Sequence, residues 1–418
     1  MKKFINKIYP ELIGILVFAS YMFTVSHSVG ENDSGELAMC QATLSIPHPT
    51  GYPLFVLIGF LFSKLPIPVS TILKLNILSA IWCALTVIVV IRICIIILDN
   101  FDLLLNPKGR FSHLISDLNF SIKIIASIFA GLMFAYSATF WLQSTRVEVY
   151  SLQIFMTSFI MFFTLKAYIS YEKKPIESKD DILLIIKRWW LVFVLIGFGF
   201  ANHMMTLYLI PATVVLYFYC TVISIKSIKS ILILFFITGL ISFIFYLGLM
   251  LRANMSPQWS YGDPSDLKRL FEHVSAREYS KFMFQGSENL LNQGSKFLKM
   301  LSFNFSYKNF SMGEFSLTLF LGIAGLFLLF LFKKKVVIYF LLILIFSIVL
   351  AISYNIPDIN EYFLVLFMIL SISTIIPVVI VQKLISGKRK IKYGFVLVLF
   401  ILLLIQIKIN FNQSFNFK

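Results

Sequence analysis

This sequence has few charged residues, few cysteines and no recognisable nucleotide-binding loop. Only 13% of its 418 residues are charged and 59% are hydrophobic, whereas soluble globular chains are about 25% charged and about 45–50% apolar. The four cysteines are scattered and form no CxxC or Cys/His pattern, which argues against a zinc site. No G-x-G-x-x-G loop follows a strand pattern, which argues against a dinucleotide-binding domain.

Long apolar runs instead predict an all-α polytopic membrane protein. The run ILILFFITGLISFIFYLGLML, at 231–251, exceeds the ~18 apolar residues that indicate a transmembrane helix. The runs are continuous, whereas the strands of a membrane β-barrel alternate. The first run is too long for a signal-peptide core and no A-x-A site follows it, so we expect a retained helix. We predict about eleven membrane helices, at 8–29, 72–98, 121–142, 147–169, 187–202, 204–222, 230–251, 314–332, 336–354, 361–382 and 392–410.

The basic residues predict the orientation of the helices. The net charge is +16, yet no Lys or Arg occurs between Lys7 and Lys64. The cations precede the first helix or lie in alternate short loops, which are therefore expected to be cytoplasmic. No basic amphipathic helix supports nucleic-acid binding. The loop cations are Lys2, Lys3, Lys7, Lys108, Arg110, Lys173, Lys174, Lys179, Lys187, Arg188, Lys226, Lys229, Lys333, Lys334, Lys335, Lys383, Lys388, Arg389, Lys390 and Lys392.

Three segments then fall on the outer side of the membrane, at 30–71, 143–150 and 252–313. Within the first, Gly51–Leu65 is apolar but short for a span, so we expect it at the membrane interface. The chain accordingly divides into an N-terminal membrane module with the first outer loop, an outer loop region and C-terminal membrane helices, at 1–251, 252–313 and 314–418.

The first outer segment carries a dense acidic cluster in ENDSGE, residues 31–36. A carboxylate at the membrane surface can act as a general base, and partial burial raises its pKa toward a useful value. Alternatively, Asp33 or Ser34 caps a short helix and Glu36 closes a capping box. Taken alone, the motif favours the cap.

Other polar residues at the outer corners each have two interpretations. His48 lies in a rigid Pro- and Gly-containing turn, where it would bind a phosphate or hydroxyl, or simply face headgroups. Arg146 and Glu148 would tighten a hairpin as an ion pair, or Arg146 would neutralise a phosphate. Asn202 and His203 would bond two helices or bind a ligand.

Arg252 ends a predicted helix, and the simplest interpretation is that it snorkels to the interface. Trp259 and Asp358 complete the set of candidates at the outer corners. All these residues map to one side of the membrane, whereas polar residues with purely structural roles would occur on both sides. The shared location favours a functional site.

The motifs together resemble a known family. DSGE (33–36), HPTGYPL (48–54), VEVYSLQ (147–153), GFANH (199–203) and WSYGDP (259–264) are similar to the GT-C glycosyltransferases. The closer resemblance is to the protein O-mannosyltransferase-like family, which includes the animal enzyme that acts on plexin-type receptors. The resemblance covers about residues 8 to 365, and DSGE followed by HPTGYPL is its most specific part.

The resemblance implies a GT-C helical bundle whose outer loops form the active site. It implies transfer of mannose or another hexose from a polyprenyl-phosphate carrier to a hydroxyl of a protein Ser/Thr, glycan or lipid, with inversion. Asp33 would be the base, with Glu36 and His48 positioning the substrates. Arg146, with His203 or Arg252, would stabilise the departing phosphate. Further substrate contacts would come from Tyr52, Glu148, Asn202, Trp259 and Asp358.

We expect no metal and no other cofactor, although the sequence leaves a divalent ion open. The alternatives to a transferase are a transporter or flippase of a lipid-linked sugar, and a scaffold without chemistry. The near absence of acidic residues within the predicted spans argues against ion-coupled transport. The bias toward Ile, Phe, Lys and Asn suggests a low-GC bacterium, and so a bacterial plasma (inner) membrane protein with its site facing the periplasm or exterior.

Overall fold

The computed structural model describes residues 2–105, 118–174, 182–305, 317–331, 334–356 and 359–415. Within these ranges the chain is helical almost throughout and forms no β-strand. The predicted substrate contact Asp358 and the loop cations Lys108, Arg110, Lys179 and Lys333 lie outside the described residues.

The α-helices are numbered in chain order. Their bounds are α1 Lys2–Met22, α2 Ser34–Thr43, α3 Pro53–Ser63, α4 Thr71–Asp99, α5 Phe101–Leu105, α6 Phe120–Ala135, α7 Ala138–Gln143, α8 Val149–Lys173, α9 Ile182–Asn202, α10 Leu209–Thr221, α11 Ile225–Ala253, α12 Leu267–Val274, α13 Ser287–Phe305, α14 Leu317–Phe330, α15 Lys334–Ile352, α16 Leu364–Ser373, α17 Ile375–Leu384 and α18 Arg389–Phe415. Short 3₁₀ helices occur at Met204–Tyr208, Arg277–Phe282 and Ile359–Phe363.

Eight helical stretches in the described residues are long and apolar enough to cross a membrane. This confirms the prediction of an all-α polytopic membrane protein. The stretches are Thr71–Asp99, Val149–Lys173, Ile182–Asn202, Met204–Thr221, Ile225–Ala253, Lys335–Ile352, Ile359–Leu384 and Arg389–Phe411. The other three predicted spans coincide with shorter apolar helices at Ile8–Met22, Phe120–Ala135 and Leu317–Leu329. The count of eleven therefore stays a prediction.

Two of these shorter helices end earlier than predicted, and in both a side chain distant in sequence contacts the turn that follows. The helix predicted at 8–29 ends at Met22, and the following turn is held by Trp141, whose indole Nε1 donates to Thr24 Oγ1 at 2.9 Å. The helix predicted at 121–142 divides after Ala135, where the amide of Asn410 on α18 donates to the Tyr136 carbonyl at 2.7 Å. An apolar run alone does not reveal such breaks.

The core forms around α4, which packs against α1, α6 and α8, while α11 runs alongside α9. Burial differs strongly between the spans. In the most apolar 18-residue part of Ile359–Leu384, 89% of the residues are buried, whereas in that of Ile225–Ala253 only 22% are buried. Because α11 is also apolar on its exposed side, with Phe236, Phe243 and Ile244 uncovered, this helix lies at the edge of the bundle and faces lipid.

Candidate active site

A cavity of about 480 Å³ opens at the end of the bundle where several interhelical connections meet. The connection between α1 and α3 forms one wall, and the segments at 203–208 and 275–283, with Tyr354, Ile356 and Tyr362, form the others. Polar groups and six tyrosines line it, together with methionine, leucine and isoleucine side chains. The polar and tyrosine residues are Asp33, His48, Thr50, Tyr52, Tyr150, His203, Tyr208, Ser275, Tyr279, Ser280, Tyr354 and Tyr362.

Asp33 directly precedes α2, and its side chain is 51% exposed. Its carboxylate makes no capping hydrogen bond to the helix. The Ser34 hydroxyl contacts the preceding turn, where it accepts a hydrogen bond from the Gly30 N–H at 3.2 Å. The capping interpretation of this motif is therefore wrong, and Asp33 is left facing the cavity. Gly35 lies inside α2, and its backbone is not in the left-handed region. In the turn before α2, the residue with a left-handed backbone is Asn32, at φ 57°.

Glu36 and His48 form a tight pair beside Asp33. Glu36 accepts hydrogen bonds from the His48 backbone N–H at 2.8 Å and from its Nδ1 at 2.9 Å. His48 Nε2 lies 2.9 Å from the Tyr52 hydroxyl and 3.6 Å from Asp33 Oδ2. Since the Tyr52 hydroxyl donates to the Pro49 carbonyl at 3.0 Å, it is free to accept from Nε2–H. Both ring nitrogens then donate, as in an imidazolium.

The surroundings of the pair favour this charged state. Burial opposes a charge on His48, but the hydrogen bond to Glu36 and the charges of Asp33 and Glu36 raise its pKa above the usual value. Burial likewise opposes ionisation of Glu36, but its bonds to His48 lower its pKa below the usual value. Glu36 is thus hydrogen-bonded to His48, and Asp33 is the carboxylate of the pair that is available to bind a ligand.

Asp33, Glu36 and His48 each present one ligand atom within 4.8 Å of the others, which is close enough to hold a metal ion. A cation bound through a ring nitrogen of His48 would replace the hydrogen bond that this nitrogen makes, to Glu36 at Nδ1 or to Tyr52 at Nε2. A protonated His48 ring already offsets one of the two carboxylate charges, and a metal ion would have to displace that proton. The expected absence of a metal stays a prediction.

His203 forms the inner wall of the cavity within a group of aromatic rings. Its ring stacks on Tyr52 with centroids 5.5 Å apart and also contacts Tyr150 and Tyr362. Its Nδ1 accepts the Met205 backbone N–H at 3.1 Å and so begins the 3₁₀ helix Met204–Tyr208. Burial, with the nearby charge of His48, lowers the pKa of His203 to about 3, so the ring is neutral.

Arg146 and Glu148 do not line the cavity. Both are buried, with Arg146 Nε 3.8 Å from Glu148 Oε1. The Arg146 stem lies against Gly30, where an added Cβ would come within 2.6 Å of Arg146 Cδ. This places the pair behind the turn that leads to Asp33. The predicted phosphate contact of Arg146 stays a prediction.

Three further candidates have structural partners, and one of them, Trp259, also makes a side-chain hydrogen bond to Glu36 beside the cavity. The Asn202 amide donates to Gln153 Oε1 at 2.8 Å, joining α9 to α8. Arg252 Nε donates to the Leu44 carbonyl at 2.8 Å, at the C-terminal end of α2. The Trp259 carbonyl accepts the Ile46 N–H at 3.1 Å. None of the three lines the cavity, and their predicted ligand contacts stay predictions.

Sequence reasoning missed Asn76, which connects the two outer corners. Its amide nitrogen donates to the Ser26 carbonyl at 2.8 Å and the Ser28 carbonyl at 3.1 Å, and its oxygen accepts the Val147 N–H at 2.8 Å. A lone amide within the apolar run of α4 was the available signal, since buried amides bond helices and loops together. The tyrosines 279, 354 and 362 were also missed, because no local pattern places them near Asp33.

Comparison with known proteins supports the resemblance noted in the motifs. Residues 33–225 match the family described as protein O-mannosyl-transferase TMEM260 N-terminal domain. Protein O-mannosyl-transferase tmem260 of Dictyostelium discoideum is 23% identical over 310 residues, 70% of this chain and 34% of the relative. Protein O-mannosyl-transferase TMEM260 of Mus musculus is 25% identical over 313 residues, 69% of this chain and 38% of the relative. The chain thus spans little more than a third of the length of these relatives, and the matched family segment begins at Asp33.

Proposed function

From this likeness to protein O-mannosyl-transferases we propose that the chain is a membrane glycosyltransferase. It transfers a hexose, with mannose the first choice, from a polyprenyl-phosphate carrier to a hydroxyl group, with a protein Ser or Thr as the first acceptor to test. The reaction takes place at the non-cytoplasmic face of a bacterial plasma membrane, in a GT-C type bundle. The relatives' names support the sugar transfer and the protein acceptor.

The observation that carries this proposal is the position of Asp33. Its carboxylate caps no helix, stands half exposed on the wall of the cavity, and lies 3.6 Å from His48. A general base must reach the proton that it removes, which requires such access. Glu36, by contrast, is held by His48, so the two carboxylates have different roles.

The proposed reaction is a single displacement. Asp33 accepts the proton of the acceptor hydroxyl while the hydroxyl oxygen attacks the anomeric carbon. The bond between that carbon and the phosphate oxygen breaks, the lipid phosphate leaves with the electron pair, and the configuration at the sugar inverts. Glu36 fixes the His48 ring beside Asp33, and the positive charge of that ring opposes the negative charge that develops in the cavity.

The cavity lining combines polar and apolar side chains, which supports a donor with a polar sugar and an apolar lipid. His48 and six tyrosines contribute polar groups. Met204, Met205, Leu207, Leu350 and Ile356 contribute apolar surface, and Leu207 is 40% exposed. Tyrosine rings combine an apolar face with a polar tip, which suits a sugar placed at a membrane surface.

The test is mannose transfer from radiolabelled polyprenyl-phosphate-mannose by the purified chain in nanodiscs. Wild type is compared with Asp33→Asn, and with Glu31→Gln, an exposed acidic neighbour that does not line the cavity. A general base contributes about 10²–10⁴-fold, so Asp33→Asn should lose most turnover while Glu31→Gln keeps it.

Equal turnover by all three proteins would show that Asp33 is not the base. If wild type itself is inactive, a panel of other lipid-linked sugars separates a wrong donor from a wrong reaction. A chain that turns over none of these donors would contradict the proposed activity.

A further inference from the structure

The helix α12 lies beside the end of α11, outside the candidate active site. Leu270 of α12 belongs to a buried cluster with Tyr246, Leu249 and Ala253 of α11. The Asn254 amide donates to the Ser265 carbonyl at 2.8 Å, which ties the start of α12 to the end of α11. α12 is therefore fixed at the level of the last two turns of α11.

The length of α11 gives the depth of those turns. It has 29 residues, which at about 1.5 Å each span roughly 43 Å, more than the ~30 Å of a hydrocarbon core. Its first turns carry Lys226 and Lys229, which belong among the headgroups on that side. The last two turns then reach the opposite headgroup boundary, and α12 lies there with them.

The surface of α12 is divided into three sides. Leu270 and His273 are buried against the protein. Leu267 and Phe271 are four residues apart, so they share a second side, and they are 67% and 73% exposed. The third side carries Lys268, Arg269 and Glu272, with Arg269 paired to Asp263 and Asp266. One side contacts protein, one is apolar and uncovered, and one is charged.

We propose that Leu267 and Phe271 insert into the lipid at the membrane boundary, in the leaflet next to the cavity. A helix that lies in the interface needs this arrangement of an apolar side below and a charged side toward water. The lipid contact continues the exposed side of α11, where Phe243, Ile244 and Leu251 are uncovered, through Met255 at 69% exposure just after the helix. This continuity is the reason that lipid, and not a second protein, is the expected occupant.

The contact has a consequence for the cavity. The chain passes from α12 directly into the segment whose Ser275, Tyr279 and Ser280 line the same cavity as Asp33. A lipid-anchored α12 thus holds this wall at a set depth relative to the bilayer. The inference does not depend on the proposed sugar transfer, since it rests on the exposure and packing of α12.

The experiment measures the membrane depth of spin labels on α12 in the full chain, in liposomes of phosphatidylcholine and phosphatidylglycerol. Single cysteines are introduced as Leu267→Cys and Phe271→Cys, with Lys268→Cys and Glu272→Cys as matched controls on the charged side. The native Cys40, Cys83, Cys94 and Cys220 are buried, and the unmodified chain measures their background labelling. Power-saturation spectroscopy then compares collisions with oxygen, which concentrates in lipid, and with a water-soluble nickel chelate.

We expect the labels at 267 and 271 to be several-fold more accessible to oxygen than to nickel, with the reverse order at 268 and 272. Greater access to nickel at all four positions would place α12 in water and overturn the proposal. Low access to both reagents at 267 and 271 would show a protein contact instead, which also overturns it. The readout needs no activity, so it stays separate from the test of sugar transfer.

Discussion

Two polar clusters lie close together at the cavity end of the molecule, but their surroundings differ. In the open cluster of Asp33, Glu36 and His48, the Asp33 side chain is 51% exposed. In the sealed cluster of Arg146 and Glu148, the side chains are only 9% and 6% exposed. Gly30 lies between them, since Arg146 packs under it while its N–H donates to Ser34. The comparison indicates that the open cluster can meet a substrate, whereas the sealed one supports the turn that carries Asp33.

The largest expected effect on stability comes from opening the sealed cluster with Arg146→Met. Removal of one member of a buried ion pair costs about 3–5 kcal/mol, because the remaining charge stays desolvated. Asp33→Asn removes a half-exposed ion pair with His48 and should change stability by no more than about 1 kcal/mol. Thermal or denaturant unfolding in detergent micelles, followed by tryptophan fluorescence, measures both variants.

A matched control is Arg277→Met, which removes an exposed ion pair with Glu272. Exposed pairs contribute about 0–1 kcal/mol, so this variant should unfold close to wild type. If Arg146→Met proves as stable as Arg277→Met, the sealed cluster does not support the turn, and the distinction between the clusters fails.

A smaller effect is expected from filling the space between the clusters with Gly30→Ala. The new Cβ would lie 2.6 Å from Arg146 Cδ and 3.0 Å from Arg146 Cβ, so Arg146 or the turn must move. Overpacking of this kind costs about 1–3 kcal/mol. The same unfolding assay should therefore show destabilisation, together with reduced sugar transfer because Asp33 shifts with the turn.

Gly35→Ala, five residues further along in the first turn of α2, is the control for this substitution. Its Cβ would meet only the Val29 side chain, with Cγ1 at 3.3 Å, so a shift of a few tenths of an ångström makes room for it. Gly35→Ala should be close to neutral. If Gly30→Ala and Gly35→Ala lose stability and sugar transfer equally, the contact between Gly30 and Arg146 is not the cause of the loss.

The smallest expected effect is a pH dependence of the stability that His48 of the open cluster contributes. The pKa of His48 is raised in the folded protein. The stabilisation that the charged ring provides is therefore complete below the pKa of about 6.5 in the unfolded protein. It is lost as the pH rises through the pKa of His48 in the folded protein. The stability difference between wild type and His48→Gln should therefore shrink as the pH rises above about 6.5. Unfolding midpoints of both proteins across this range measure it.

Two other histidines have pKa values that are lowered in the folded protein, so their effect on stability with pH is opposite to that of His48. Burial lowers the pKa of His203 to about 3 and that of His273 to about 4, so both destabilise the fold as the pH falls below about 6.5. The charge of His48 contributes to both lowered pKa values, so these two histidines do not cancel in the difference below about pH 6.5. Above that pH both rings are neutral in the folded and the unfolded protein, so the comparison with His48→Gln is made there. A difference between wild type and His48→Gln that stays constant with pH would show that His48 is not charged against Glu36.

Much of the fold followed from local patterns. The runs of apolar residues predicted helices that the structure shows, because backbone groups in lipid must bond within their own segment and a helix is the simplest way to do so. The corner at Asn202 and His203 was also predicted, and His203 does begin a new helix there. The helices α1 and α6 end earlier than predicted, at turns contacted by Trp141 and Asn410, which are distant in sequence and so invisible to a local pattern.

The sequence by itself determined that this is a helical membrane protein with its polar residues gathered at the ends of its helices, since hydrophobicity and periodicity are local properties. It also held the paired motifs around Asp33 and His48 that indicate a transferase. Only the tertiary structure decided which of these residues share a cavity. It placed Asp33, His48, Tyr52 and His203 together, turned Arg146 away, and brought Tyr279 and Tyr362 from remote segments. Those outcomes depend on how helices pack and on long-range hydrogen bonds such as those of Asn76, which no local pattern encodes.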